Sequence, residues 1–364
     1  MRRITDVARP GHRRGLVGSI LLGSKAILQR MALLVPPIRR LHSSRAMLLE
    51  ERATLSSQVQ RSGSSPFHHY HSCFDAEAVL RRHAVPDPQP RPGYFTNFLG
   101  VAIDPKFFPG ILDGRAGHVE GIPIPANWHA DIAEWAAALR AVDLARERFV
   151  MIELGCGWGC WMNNTGAAAR RAHLPVALIG VEGDERHIAY AHEAASVNGF
   201  DPASVTLHHG IAAAGAGTAL FPRQGHGDAS WGLEPIFHAT HTQVRDALRS
   251  GSHDELPMVP LLTLIGTHER IDLLHIDIQG GEADLIADCL QVLRERIAYL
   301  LVGTHSRQIE GRIVELLSGR GWILEIERPA ILSLAGRHPV VTVDGVQGWR
   351  NPTLHPEPRR VASS

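Results

Sequence analysis

The stretch Val150–Trp161 reads VMIELGCGWGCW. An apolar run ends in an acid, and three glycines follow at alternate positions. A strand that gives way to a glycine turn and then a helix is where a doubly wound sheet meets a nucleotide ligand. Glycine suits that turn because the backbone must bend sharply with no Cβ between it and the ligand. The spacing narrows the choice of ligand. Gly155, Gly157 and Gly159 give G-x-G-x-G, whereas the dinucleotide fingerprint G-x-G-x-x-G needs glycine where Cys160 stands. Glu153, ahead of the first glycine, suits a ligand that carries an amine.

Downstream, short apolar runs alternate with helical ones. The pattern predicts a strand over Phe149–Glu153, a helix over Trp161–Ala172, a strand over Val176–Glu182 and a helix over Glu185–Asn198. Asp184 is placed to cap the last of these and Gly199 to stop it. Strands follow at Val205–His209, Ile271–Asp277 and Tyr299–Thr304, with Trp322–Ile326 and Val340–Val343 as a closing antiparallel pair. Such alternation predicts an α/β fold whose mostly parallel sheet has helices on both faces. Residues 211–260 are too long for a simple connection and read as an active-site insertion. Upstream, Ile132, Trp135, Leu139 and Val142 recur at helical intervals, and residues 94–147 are placed to close over a ligand. The expected organisation is an arm over 1–65, an accessory or cap segment over 66–147, a ligand-binding domain over 148–350 and a tail over 351–364.

The strand ends form a set. The second strand ends in Glu182, where one carboxylate can accept both hydroxyls of a ribose. The fourth ends in Asp277 and the fifth runs into His305. Acids at strand ends often cap the next helix, but three acids and a histidine beside a glycine loop are better explained by a site. His305, with an ordinary pKa of about 6.5, is the expected general base. Asp277 is expected to orient it, to bind an acceptor hydroxyl, or to ligate Mg²⁺, with Asp228 and Glu282 as available further ligands.

ELGCGWG, VEGDE, IDLLHIDIQGGE and LLVGTHS, in this order, resemble the FkbM-type methyltransferases, and IDLLHIDIQGGE carries the strongest likeness. The resemblance covers roughly residues 149–330. It implies a Rossmann-like class I methyltransferase sheet with an antiparallel last strand and an N-terminal helical or irregular extension. It implies S-adenosylmethionine as cofactor, held by Glu153, Gly155, Cys156, Gly157, Gly159, Glu182 and Gly183. The implied reaction is methyl transfer, usually to oxygen, on a sugar, glycan or natural-product-like small molecule, with His305 and Asp277 as catalytic residues. Two departures stand out: the family often has proline where this chain has Gly183, and glycine-alanine-asparagine where it has Gly155-Cys156-Gly157.

Rival readings make their own demands. An NAD(P)-dependent oxidoreductase or epimerase would need the missing glycine and a Tyr/Lys or Cys/His pair. A nucleic-acid methyltransferase would be expected to show an Asn/Asp-Pro-Pro-Tyr type motif, but Asp277 is followed by Ile278-Gln279, so no nucleic-acid partner is expected. A non-catalytic, membrane-associated scaffold would leave the sheet inert.

The chain has 364 residues and a formal net charge of zero, yet residues 1–61 hold twelve Arg and Lys against three acids. That arm is expected to pack on a partner or to touch an anionic membrane surface. Lys25, Gln29 and Arg30 interrupt its apolar stretch, so no membrane span or signal peptide is expected. Four scattered cysteines fit neither a disulfide framework nor a zinc motif. HHYH at His68–His71 lacks paired ligands at helical spacing and reads as a solvent-facing loop. A reducing cytoplasm, with the arm at the inner face of a membrane, is the expected setting.

Overall fold

The computed structural model describes residues 65–223 and 232–355. The basic arm, most of the tail and Asp228 lie outside them. Seven main strands build one sheet: β1 Phe149–Leu154, β2 Val176–Glu182, β3 Val205–His209, β4 Leu273–Ile276, β5 Tyr299–Thr304, β6 Ile323–Arg328 and β7 Gly345–Arg350. Their order is β6-β7-β5-β4-β1-β2-β3, and the short strand His71–Ser72 adds an eighth member beside β6. From β5 through β4, β1 and β2 to β3 every pairing is parallel, while β7 runs antiparallel to both its neighbours. This is the mostly parallel, Rossmann-like sheet with an antiparallel strand near its end that the sequence predicts.

Both faces are covered. One carries α1 Ile132–Leu144, α2 Cys160–Arg171 and α3 Glu185–Val197; the other carries α4 Glu282–Arg296 and α5 Arg307–Ser318. All six residues of β1 are buried, as a central strand covered on both faces requires. Helix α1 buries the predicted Ile132, Trp135, Leu139 and Val142, together with alanines that let it sit close to the sheet. Opposite it, a Cβ added at Gly348 of β7 would meet Ala137 at 3.1 Å and the Tyr299 hydroxyl at 2.8 Å. Asp184 caps α3 through the Arg186 N–H, and Gly199 follows the helix at φ 67°. The extension upstream of β1 belongs to the same core: Phe98, Phe107 and Leu112 are buried with Trp135 and Trp158.

One expected pairing is different. Val340–Val343 does not join β6; it folds back on Ile331–Ser333, and Val340 is 60% exposed. The partner of β6 is GVQGWR, which is wholly buried. Two glycines weaken its strand signal. They are there because a Cβ on Gly345 would lie 2.0 Å from Glu310 and 2.3 Å from Thr304. Predicted boundaries elsewhere shift little, although β4 is shorter than expected, with Ile271 making only an isolated bridge to Ile297. Among the described residues no helix is long and apolar enough to cross a membrane.

Candidate active site

At the carboxyl edge of the sheet, β1 gives way to Gly155, Gly157 and Gly159, all left-handed at φ 74°, 53° and 75°. An L side chain is strained there, and at Gly155 it also has no room: a Cβ would sit 2.1 Å from the Asp277 carbonyl oxygen. The tips of β1 and β4 therefore touch backbone to backbone. The loop is tied to β2 as well. Gly155 and Cys156 donate their N–H groups to the Val181 carbonyl at 3.0 and 2.9 Å. Gly157 donates to one Glu182 carboxylate oxygen at 2.8 Å, and Asp184 donates to the other at 2.8 Å. Glu182 thus braces two loops at once.

A cavity of about 440 Å³ lies over these loops, and Glu153, Gly155, Cys156, Gly157, Glu182 and Gly183 are on its wall. The insertion after β3 supplies Phe221 and Phe237, and the upstream extension supplies Phe108 and His129. Phe221 covers Gly183 so closely that a Cβ there would lie 2.6 Å from the ring, which accounts for glycine where the resembled family often has proline.

Two expected contacts need correction. Gly159 is not on the cavity wall; it is the residue before α2, and its task is the left-handed turn. Glu153 lines the cavity, but its two oxygens accept the N–H groups of Trp161 and Met162 at 3.1 and 2.9 Å, so it caps α2 rather than waiting for an amine. Burial outweighs the nearby His275 and the two backbone N–H groups and raises its carboxyl to about 7.

Asp277, Glu282 and His305 come together beyond β4 and β5. The ring of His305 lies between the two carboxylates, Nδ1 at 2.9 Å from Glu282 Oε1 and Nε2 at 3.2 Å from Asp277 Oδ1. Burial alone would depress this imidazole, but the two carboxylates outweigh it and lift it to about 10. That value keeps the ring protonated at neutral pH and favours a role in holding Asp277 over the expected one of general base. Burial pulls Asp277 upward, and the His305 hydrogen bond and charge overcome that and hold it below the usual carboxylate range. Glu282, named above as an available metal ligand, is fully buried and accepts the N–H groups of Ile278 and Gly280 at 3.2 and 3.0 Å.

These three side chains are the grouping of potential metal ligands found among the described residues, with ligand atoms within 4.8 Å of one another. The donor set does not suit Mg²⁺. A hard cation asks for oxygen ligands in an open octahedron, whereas here the His305 ring already occupies the space between the two carboxylates. No step is derived through a metal.

A second cavity of about 290 Å³ adjoins the first, and Trp128, His129, Trp161, Asp277 and Asp344 line both. Glu134, from the first turn of α1, lines the smaller one, as does His305. His275 of β4 lies opposite Glu153 in the sheet, and its Nε2 is 3.6 Å from Glu134. Burial raises the Glu134 carboxyl, whereas burial lowers the His129 imidazole to about 4, because no carboxylate touches it. Sequence reasoning did not select Trp128, His129, Glu134, His275, Asp344 or Phe221. His275 sat within IDLLHIDIQGGE, and Glu134 was a polar break in an otherwise apolar helix; the others gave no signal.

No family model matches the chain. A protein of Jannaschia sp. (strain CCS1) named "Putative methyltransferase" is 46% identical over 268 residues, covering 73% of this chain and 95% of that protein. Among solved structures, the ribosomal protein L11 methylase of Lactobacillus delbrueckii subsp. bulgaricus aligns at 11% identity with a TM-score of 0.32, over 69% of this chain and 93% of that one. Precorrin-6y C5,15-methyltransferase of Geobacter metallireducens GS-15 aligns at 9% identity with a TM-score of 0.32, over 58% and 86%.

Proposed function

The chain belongs to the methyltransferase family of its Jannaschia relative, and from that premise we propose that it methylates a hydroxyl oxygen on a sugar, glycan or natural-product-like small molecule. In this reading S-adenosylmethionine is the methyl donor, as the sequence motifs imply. The FkbM type rests on IDLLHIDIQGGE and its neighbouring motifs.

The larger cavity fits this cofactor. Its floor is glycine where a Cβ would intrude, and Glu182 keeps lone pairs beyond the two N–H groups it accepts. Gly157, Glu182 and Gly183 would hold the ribose side, with Phe221 and Phe237 as the aromatic wall. When bound, the cofactor supplies an electrophilic methyl group on a sulfonium.

The observation that carries the oxygen-acceptor reading is that two cavities meet at Asp277. An acceptor in the smaller cavity can donate its O–H to this carboxylate, which fixes the direction of the oxygen lone pair. Positioning contributes much of the acceleration in such a displacement. The His305 imidazolium holds Asp277 in place. A low carboxyl pKa is no obstacle to taking the proton, because an oxygen that has gained a methyl group is far more acidic than a carboxylic acid. Carboxylates on the cavity wall repel phosphate, and this favours a small molecule over nucleic acid.

The test is incubation with methyl-labelled S-adenosylmethionine and fractionated cell extract, then mass spectrometry of the labelled product. Label on the oxygen of a small molecule is expected. Label on a nucleobase, or none in any fraction, would sink the reading.

A further inference from the structure

We infer that the smaller cavity takes an acceptor with a protonated amine beside its hydroxyl, that is, an amino alcohol or an amino sugar. This deepens the methyl-transfer reading and rests on it.

The argument begins with charge. Arg328 faces the cavity but is engaged: its Nε donates to Asp131, and its other nitrogens donate to the Asp344 and Pro329 carbonyls. What remains is two imidazoles, each between two carboxylates. His305 serves Asp277 and Glu282. His275 stands 3.6 Å from Glu134 and 4.0 Å from Glu153. Asp344 lies 4.0 Å from the same His305 ring. Five carboxylates therefore share two imidazoles, and His129, held neutral by burial, adds no charge. Glu134 and Asp344 both line the smaller cavity, and neither has a cation in hydrogen-bond contact. The half-buried Glu134 and the exposed Asp344 each share an imidazole with other carboxylates, and this excess of acids over imidazoles on the wall favours a ligand cation.

Trp128 and Trp161 supply aromatic faces of the kind that attract organic cations. Carboxylates for an ammonium and indoles for its carbon frame, beside Asp277 for the hydroxyl, together describe an amino alcohol.

The test is calorimetry on the full chain, with and without S-adenosylhomocysteine, using ethanolamine and glucosamine against ethylene glycol and glucose. The amines should bind at least about tenfold more tightly than their neutral counterparts. Glu134→Gln should reduce that preference towards parity, and Asp344→Asn, at a more exposed side chain, should reduce it partly. Melting temperature and S-adenosylhomocysteine affinity are measured on each variant to show that it is folded. Amines that bind no better than the neutral compounds, or fail to bind, overturn the inference, as does a preference that survives in both variants. Failure to bind S-adenosylhomocysteine would instead strike the methyl-transfer reading, so the two failures are distinguishable.

Discussion

The two cavities that meet at Asp277 are made of different material. The floor of the larger is backbone: the left-handed Gly155 and Gly157, a loop tied to Val181, and Glu182 gripping two peptide N–H groups. The smaller is made of side chains from distant segments, with Trp128 and Glu134 coming before β1 and Arg328 and Asp344 after β5. A backbone cradle constrains which residues can occupy it at all. A side-chain chamber leaves the backbone free, so its chemistry can vary while the sheet stays the same. The histidines show how local that chemistry is. His305, between two carboxylates, is lifted to about 10, and His129, buried without one, falls to about 4. Burial lowers both, and the two carboxylates in contact with His305 reverse the direction there.

The largest effect is expected where the regions join. Asp277→Asn keeps the shape of the side chain and removes the carboxylate that would take the acceptor proton. Turnover measured with the labelled cofactor should fall about 10²–10⁴-fold. Affinity for S-adenosylhomocysteine should change much less, because the cradle is backbone. Near-normal turnover would remove Asp277 from the chemistry and dissolve the proposed junction.

The same contrast decides what could be read from the sequence. The cradle is local in sequence, since a left-handed turn without room for a Cβ must be glycine and leaves G-x-G-x-G behind. Strand ends follow from the alternation of apolar runs, so Glu182, Asp277 and His305 were legible as positions. Their states were not. Nothing in LLVGTHS says that Glu282, the first residue of α4, closes on the far side of the His305 ring. Glu153 looked free because a strand pattern does not show which helix N–H groups will meet its carboxylate. The closing strand was misplaced for a related reason: Gly345 and Gly348 answer to neighbours distant in sequence, whereas VVTV has strand propensity of its own.

A smaller effect should follow from Glu182→Ala. It removes the expected ribose acceptor and also releases the N–H groups of Gly157 and Asp184. Hydrogen bonds to a charged group contribute roughly 1.5–3 kcal/mol each. The dissociation constant for S-adenosylmethionine should therefore rise at least about tenfold, read by calorimetry. An unchanged affinity would mean that the cavity is not the cofactor's, and the backbone-against-side-chain contrast would lose its functional meaning.

The smallest effect, and the sharpest probe of the histidine contrast, is the pH dependence of His305. Its folded value is raised from 6.5 to about 10, so the folded protein binds this proton more tightly than the unfolded chain does. The resulting stabilisation is fully present below about pH 6.5, declines as pH rises, and is gone above about 10. His305→Gln should accordingly be less stable than the wild type at pH 6, and the gap in melting temperature should narrow towards pH 10. A gap that does not change with pH would mean that the ring is held by packing rather than charge. The same raised value removes any His305-dependent limb near neutrality from the pH–rate profile. If such a limb is found and Gln abolishes it, His305 is losing its proton near pH 7, and the base role returns to it from Asp277.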